Sequence, residues 1–308
     1  MIDILMAVYN GENYLAEQID SILSQSYTDW RLIINDDGSN DRSFDIISDY
    51  AKRYPDKIFG YKNDVATGSA QGNFMSMMKY VTADYIMFSD QDDVWLPEKI
   101  KMTMKKMTEL EEKNGNIPIL VHSELIVVDS KLNTLYPSFT RYQGLNPNCS
   151  SINRLLVQNN VTGCTVMINR ALFELVKNVP AENMLMHDWW FALVASAFGE
   201  IGFVKEPLIK YRQHDNNQLG AVNNKSVKGA FKIISKPLET KKRIASTYAH
   251  ADIFYKYYKS FLKNDKCDII EKYISIPQKN KPLRILLLIK NGFLKQNFMT
   301  AVGQLIFC

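Results

Sequence analysis

Through the first hundred residues, short and almost unbroken apolar runs alternate with stretches in which apolar residues recur every three or four positions. The run at 4–8 reads as a buried strand, and Leu15, Ile19 and Ile22 then fall on one face of a helix. A strand at 30–34 comes next, followed by a helix marked by Phe44, Ile47 and Ala51 and, after Pro55, a short strand at 58–61. A glycine-punctuated loop and a helix around 74–81 lead to a strand at 85–88. Pro97 sits early in a further helix that continues through Ile100, Met104 and Met107. This alternation with short connections predicts an α/β fold, with a mostly parallel central sheet flanked by helices on both faces.

The pattern loosens beyond residue 115. Strands are expected at 119–122, 164–168 and 201–204, a strand-like stretch at 208–211, a Pro/Asn-rich segment at 137–149 and a helix from about 188 to 198. Past Gly220 the chain turns helical, basic and aromatic, with Phe254, Tyr255, Tyr257, Tyr258 and Phe261 interleaved with Lys256, Lys259 and Lys263. The expected organisation is a domain over 1–220, in two halves at 1–115 and 116–220, followed by a helical, basic C-terminal extension over 221–308.

Charge sharpens that division. Residues 1–220 carry 20 Lys/Arg and 28 Asp/Glu, whereas 221–308 carry 17 and 5, so that −8 and +12 sum to the +4 of the whole chain. An acidic body with a basic tail suggests a site in the body and an anionic contact for the tail. The acidic body argues against a nucleic-acid partner. The four cysteines are widely spaced without a CxxC pair, which favours neither a disulfide framework nor a zinc site and fits a reducing, cytoplasmic setting. Residues 1–8 run straight into the first strand, with no basic leader and no long apolar segment ahead of it, so the chain is expected not to be secreted. In the tail, the strongly apolar run at 285–289 is far short of the roughly 20 residues that cross a bilayer. Its basic, aromatic helices suit either an anionic membrane surface, which would make the protein peripheral, or a partner or domain contact.

Two acidic clusters end two of the predicted strands: Asn35-Asp36-Asp37-Gly38-Ser39 and Ser89-Asp90-Gln91-Asp92-Asp93. Ligands of open α/β sheets bind at such strand ends. Asp90-Gln91-Asp92 has the Asp-x-Asp form that suits a hard divalent cation, Mn2+ or Mg2+, carrying phosphate oxygens. Ala7-Val8-Tyr9-Asn10-Gly11-Glu12 supplies an aromatic for a base to stack on, and Asp37 a carboxylate to accept a base N–H. Gly68-Ser-Ala-Gln-Gly72 does not fit a dinucleotide fingerprint, so an oxidoreductase is disfavoured.

Together with Thr162-Gly163-Cys164-Thr165, Asn169-Arg170, His187-Asp188-Trp189-Trp190 and Tyr211-Arg212-Gln213-His214, these motifs resemble family 2 glycosyltransferases of the GT-A (Rossmann-like) fold over about residues 1–215. Ser89-Asp90-Gln91-Asp92-Asp93-Val94-Trp95 with the later His-Asp-Trp-Trp resembles in particular bacterial rhamnosyltransferases of surface polysaccharide synthesis. The resemblance implies an inverting, metal-dependent transfer of a sugar, L-rhamnose from dTDP-rhamnose or a hexose or N-acetylhexosamine from UDP, to a growing surface glycan or lipid-linked acceptor.

By the same resemblance Ala7, Tyr9, Glu12, Asp37 and Asp90 bind the nucleotide, Asp92 and His214 the metal, and Gly163, Cys164 and Trp189 the donor or acceptor sugar. Asp188 is the expected catalytic base, because an attacking hydroxyl must lose its proton as the new bond forms. The third helix departs from many relatives by carrying Gly72-Asn73 in place of Arg-Asn, which shifts neutralisation of the diphosphate to the metal or to another cation such as Arg212. A non-catalytic sugar-nucleotide binder or membrane adaptor is the reading from another class. Retention of both Asp92 and Asp188 counts against it.

Overall fold

The computed structural model describes residues 1–214 and 237–308. Its sheet runs through β1 (Ile2–Val8), β2 (Trp30–Asp36), β3 (Ile58–Lys62), β4 (Tyr85–Asp90), β5 (Val94–Trp95), β6 (Ile119–Val128), β7 (Thr134–Tyr136), β8 (Met167–Asn169) and β9 (Glu200–Arg212). The spatial order is β3-β2-β1-β4-β8-β6-β9-β5, with β7 on β6. The four leading strands are parallel. β8 then intervenes antiparallel to both β4 and β6, and β9 returns parallel to β6.

β1 is buried along its length, as a strand covered on both faces must be, and its residues divide by parity. Ile2, Ile4, Met6 and Val8 join one core, shared with Leu15 and Ile19 of α1 (Leu15–Leu23), Ile47 of α2 (Ser43–Arg53) and Ile100 of α4 (Lys99–Asn114). Leu5 faces the other core, built with Phe74 of α3 (Ala70–Met77), the short helices α6 (Ile152–Leu155) and α7 (Arg170–Val176), and α8 (His187–Phe198). Asp3 is the polar exception on this strand. Its carboxylate is fully buried but accepts from Arg31 Nε at 2.6 Å and from the N–H groups of Thr82 and Ala83, so the charge has a complete set of donors.

Three segments differ from the pattern-based reading. Cys164 lies in a 3-10 turn at Gly163–Thr165, ahead of the short β8, and not within a strand. The two stretches expected at 201–204 and 208–211 are one 13-residue strand, β9, whose polar Lys205-Glu206 falls at a register shift against β6 and so interrupts the apolar pattern. Pro97 precedes α4 by two residues.

Beyond α5 (Phe139–Gln143), the remaining described helices are α9 (Pro237–Tyr258), α10 (Asn264–Ser275), α11 (Lys281–Lys290) and α12 (Phe298–Phe307). The division expected at 220 and the first part of the basic region fall outside the described residues. Phe254 and Tyr258 of α9 are buried against Trp190 of α8, with ring centroids 5.4 and 6.0 Å apart. These tail aromatics therefore extend the core on the α3/α8 face of the sheet. Tyr257 and Phe261 stay exposed, as do Leu286 and Ile289 of α11 and Phe298 of α12. Among the described residues no helix is long and apolar enough to cross a membrane.

Candidate active site

Parallel register sets Val8 opposite Asp36 and Ala7 opposite Asp90, so the carboxyl ends of β1, β2 and β4 come level. A cavity of about 920 Å³ opens there. It is lined by Ala7, Tyr9, Asp37, Asp90 and Asp92 from these strand ends and by Gly163, Asp188 and Trp189 from the second half of the chain. Side-chain amides hold the rim together. Asn73 Nδ2 donates to the carbonyls of Asn35 and Val8, closing α3 onto β1 and β2. The Gln91 carboxamide pairs with both backbone groups of Tyr9, accepting from its N–H at 2.7 Å and donating to its carbonyl at 2.9 Å. Gly11 leaves space for this clamp, since a Cβ there would sit 2.5 Å from Gln91 Oε1 and displace the carboxamide. Tyr9 itself is 55% exposed, its ring open to a stacking partner.

Asp37 accepts four hydrogen bonds: from Asn63 Nδ2 and the Thr67 N–H at 2.7 Å, and from Thr67 Oγ1 and the Gly68 N–H at 2.8 and 3.0 Å. Gly38, with φ of 84°, takes the left-handed conformation that the turn after Asp37 needs. Glu12 does not line the cavity; its carboxylate accepts from the Arg42 N–H at the start of α2. Cys164 is fully buried below the cavity floor, where one ligand atom each of Asp90, Asp93 and Cys164 lie within 4.8 Å of one another. Burial first, then the neighbouring Asp92 and Asp188 charges, pushes Asp90 up to about 7. Asp93 is raised well above the usual carboxylate range by burial and by Asp92 and Asp90.

Such crowding of acids is relieved by a cation. Asp93 and Cys164 are closed off by burial, whereas Asp92 opens onto the cavity, with its Oδ2 2.8 Å from His214 Nε2. His214 also stacks on Tyr14 at 5.0 Å. Carboxylate and imidazole at this spacing are a donor pair that suits a divalent cation.

Asp188 occupies the second position of α8 and is buried. Its Oδ1 accepts from its neighbour Trp189 N–H at 2.6 Å and from Asn159 Nδ2 at 3.1 Å. Burial outweighs these bonds and pushes the carboxyl up to about 7. His187, beside it, is buried against Phe74, Phe88 and Phe191, and burial pushes its imidazole down to about 3, so it is neutral.

The sequence profile of glycosyl transferase family 2 matches residues 3–174, more than half of the chain. The chain belongs to that family. It is 31% identical over 237 residues to a dTDP-rhamnosyl transferase, RfbG, of Shigella flexneri, covering 74% of this chain and 77% of that one. It is 28% identical over 173 residues to WfgD of Escherichia coli, a UDP-Glc:α-D-GlcNAc-diphosphoundecaprenol β-1,3-glucosyltransferase, covering 56% of this chain and 61% of the relative. Among solved structures, residues 1–349 of S. aureus TarS superpose with a TM-score of 0.55 at 13% identity, covering 99% of this chain and 89% of that one. That likeness establishes the GT-A type of fold. The protein is thus a nucleotide-sugar glycosyltransferase, related to a rhamnosyl and a glucosyl transferase.

Within this glycosyltransferase, Arg212 does not serve the cavity. Its guanidinium is buried and donates from Nε to the Asp92 carbonyl at 2.8 Å, from Nη1 to the Ser130 carbonyl and from Nη2 to Glu17, over the Tyr14 ring. Its N–H donates to Asp93 Oδ1. It therefore fixes the backbone of the Asp90–Asp93 turn from behind, and the expectation that it neutralises diphosphate gives way to a positioning role. Among the described residues, the cations that do line the cavity are Arg243 and Lys295. Both lie in the basic tail; the packing of α9 onto α8 brings Arg243 to the site, and the contact of the α11–α12 connection with Gln158 brings Lys295.

Proposed function

We propose that this glycosyltransferase is inverting and metal-dependent, and that it transfers L-rhamnose from dTDP-rhamnose to a growing surface polysaccharide or lipid-linked glycan. The observation that carries the proposal is one cavity with Asp37, Asp92 and the His214 contact at one group of strand ends, and the buried Asp188, its carboxyl pushed up to about 7, at the start of α8. Tyr9 and Asp37 hold the base, Asp37 exchanging one of its loop donors for the base N–H. Asp92 and His214, with Asp90 beside them, would hold a divalent cation, which when bound would supply positive charge for the leaving diphosphate. The solved mannosyltransferase PcManGT, with GDP-Man and Mn2+ bound, supports a metal here by its fold (TM-score 0.50, 12% identity, covering 99% of this chain and 84% of that one).

Asp188 takes the proton of the attacking hydroxyl. A base that ionises near 7 is matched to neutral pH, where it is substantially deprotonated yet basic enough to accept. Asn159 and the Trp189 N–H hold its Oδ1 and so fix the direction of the carboxylate. Gly163 stands where a larger side chain would meet His187 at 3.0 Å and Asp188 at 3.6 Å, which leaves room for a sugar ring beside the base. Attack from the Asp188 side with departure of the diphosphate toward Asp92 would be a single displacement, which inverts the anomeric centre. The rhamnosyl donor rests on the relative whose name carries it; a UDP-hexose or UDP-N-acetylhexosamine is the second reading, supported by the glucosyltransferase relative.

The test supplies dTDP-rhamnose, UDP-glucose and UDP-N-acetylglucosamine in turn with Mn2+ and a lipid-linked diphosphate glycan, and reads transfer and product anomer by NMR. Preferred use of dTDP-rhamnose with inversion supports the proposal. Preference for a UDP-sugar moves the donor, and a retained anomer refutes the displacement.

A further inference from the structure

Two cations on the cavity wall, Arg243 of α9 and Lys295 in the connection between α11 and α12, have no part in the chemistry above. Packing places them on the Asp188 side. The N–H of Gln296, next to Lys295, donates to Gln158 Oε1 at 2.9 Å, and Gln296 Oε1 accepts from the Asn146 N–H. Asn159, the neighbour of Gln158, donates to Asp188. Lys295 is thus tied through 158–159 to the base, and nothing comparable among the described residues ties it to the Asp37 end.

Both cations line the same cavity, and burial, then the Arg243 charge, holds the Lys295 ammonium below its ordinary range. Among the described residues neither forms an ion pair with a carboxylate, although Glu239 lines the same wall one turn before Arg243. Like charges held together at a cavity wall bind a multiply charged anion with charge-assisted hydrogen bonds. The donor's own diphosphate is already provided for at Asp92.

We propose that Arg243 and Lys295 form a second anion subsite, which takes a phosphate or diphosphate group carried by the acceptor. The inference rests on Asp188 marking the acceptor side. Two sources share this chemistry: the diphosphate of a lipid carrier and a phosphate within the glycan.

The experiment titrates the full chain with inorganic pyrophosphate and with farnesyl diphosphate in the presence of chelator, so that the unneutralised Asp90–Asp93 cluster repels anions from the donor end. It is repeated on R243A/K295A and on the charge-keeping R243K/K295R, and each protein is also titrated with dTDP and UDP in Mn2+. Expected is pyrophosphate binding by the wild type that weakens at least about tenfold in R243A/K295A and returns in R243K/K295R, with nucleotide binding within about twofold throughout. Tighter binding of farnesyl diphosphate than of pyrophosphate assigns the group to a lipid carrier, and equal binding to a phosphate of the glycan. Absence of pyrophosphate binding in the wild type, or equal binding in R243A/K295A, overturns the subsite. Joint loss of nucleotide and pyrophosphate in R243A/K295A also overturns it, by assigning the pair to the donor. Failure of the wild type to bind nucleotide with Mn2+ is a separate result, against the function proposed above.

Discussion

Asp188→Asn separates two consequences of one buried carboxyl. Its folded pKa of about 7, against 3.8 for an unburied aspartate, means that the folded protein binds a proton there more tightly than the unfolded chain does. For an acid shifted in this direction, stability is highest when the group is protonated. It falls as pH rises from about 4 to about 7 and is flat above, with a total cost of roughly 4 kcal/mol at about 1.36 kcal/mol per unit. The asparagine variant carries no such charge. The difference in unfolding free energy between variant and wild type, from urea titrations in chelator, should move in favour of the variant by about that amount between pH 4 and 8. Catalysis runs the other way, because the ionised form is the base. The wild-type rate should fall about tenfold per pH unit below 7, to about a tenth of its plateau at pH 6, while the variant loses transfer altogether and keeps nucleotide binding. A wild-type rate that is level from pH 5.5 to 7.5 with nucleotide saturating, or transfer by the variant near the wild-type rate, would refute the argument from burial to base.

Asp92→Ala should weaken dTDP or UDP binding at least about tenfold in Mn2+ and leave it unchanged in chelator, read by calorimetry; equal loss in both conditions would point to misfolding. Arg212→Ala removes the donor that holds the Asp92 and Ser130 carbonyls, so both thermal stability and metal-dependent affinity should fall, the former by about 1–3 kcal/mol. Gly199→Ala would drive a Cβ into the Pro118 carbonyl, well inside contact distance, and should depress the melting temperature by several degrees or prevent folding. Phe254→Ala, at the contact between α9 and Trp190, should cost about 3–5 kcal/mol in denaturant unfolding if the C-terminal helices belong to the same cooperative core. A small cost with a separate second transition would mean that they unfold on their own.

The parallel half of the sheet was legible because strands covered on both faces are nearly uniform apolar runs, and because each run stops at a polar cluster. Once β1, β2 and β4 pair in register, Asp36-Asp37 and Asp90–Asp93 are brought together without further information. β9 was not legible as one strand, since Lys205 and Glu206 are exposed at its register shift and break the pattern by which strands are found. Side-chain roles that depend on distant partners were also hidden. Arg212 meets Glu17 across 195 residues of chain, and a basic residue between a strand and His214 has no local mark that it will be buried. Phe254 and Tyr258 look like surface aromatics in a lysine-rich stretch. They become core because the i, i+4 pair falls on the buried face of α9, which Ile244 and Ala251 also mark. Glu12 illustrates the converse: the family resemblance assigned it to the nucleotide, whereas its carboxylate accepts from the Arg42 N–H and it does not line the cavity.

Calorimetric titration of the purified protein with dTDP, UDP and GDP, first with Mn2+ and then with chelator, tests the central claim most directly. The predicted result is binding of dTDP or UDP that requires the metal, is strongest for dTDP and is lost in Asp92→Ala. Absence of binding by any of the three nucleotides, or binding indifferent to the metal, would contradict it.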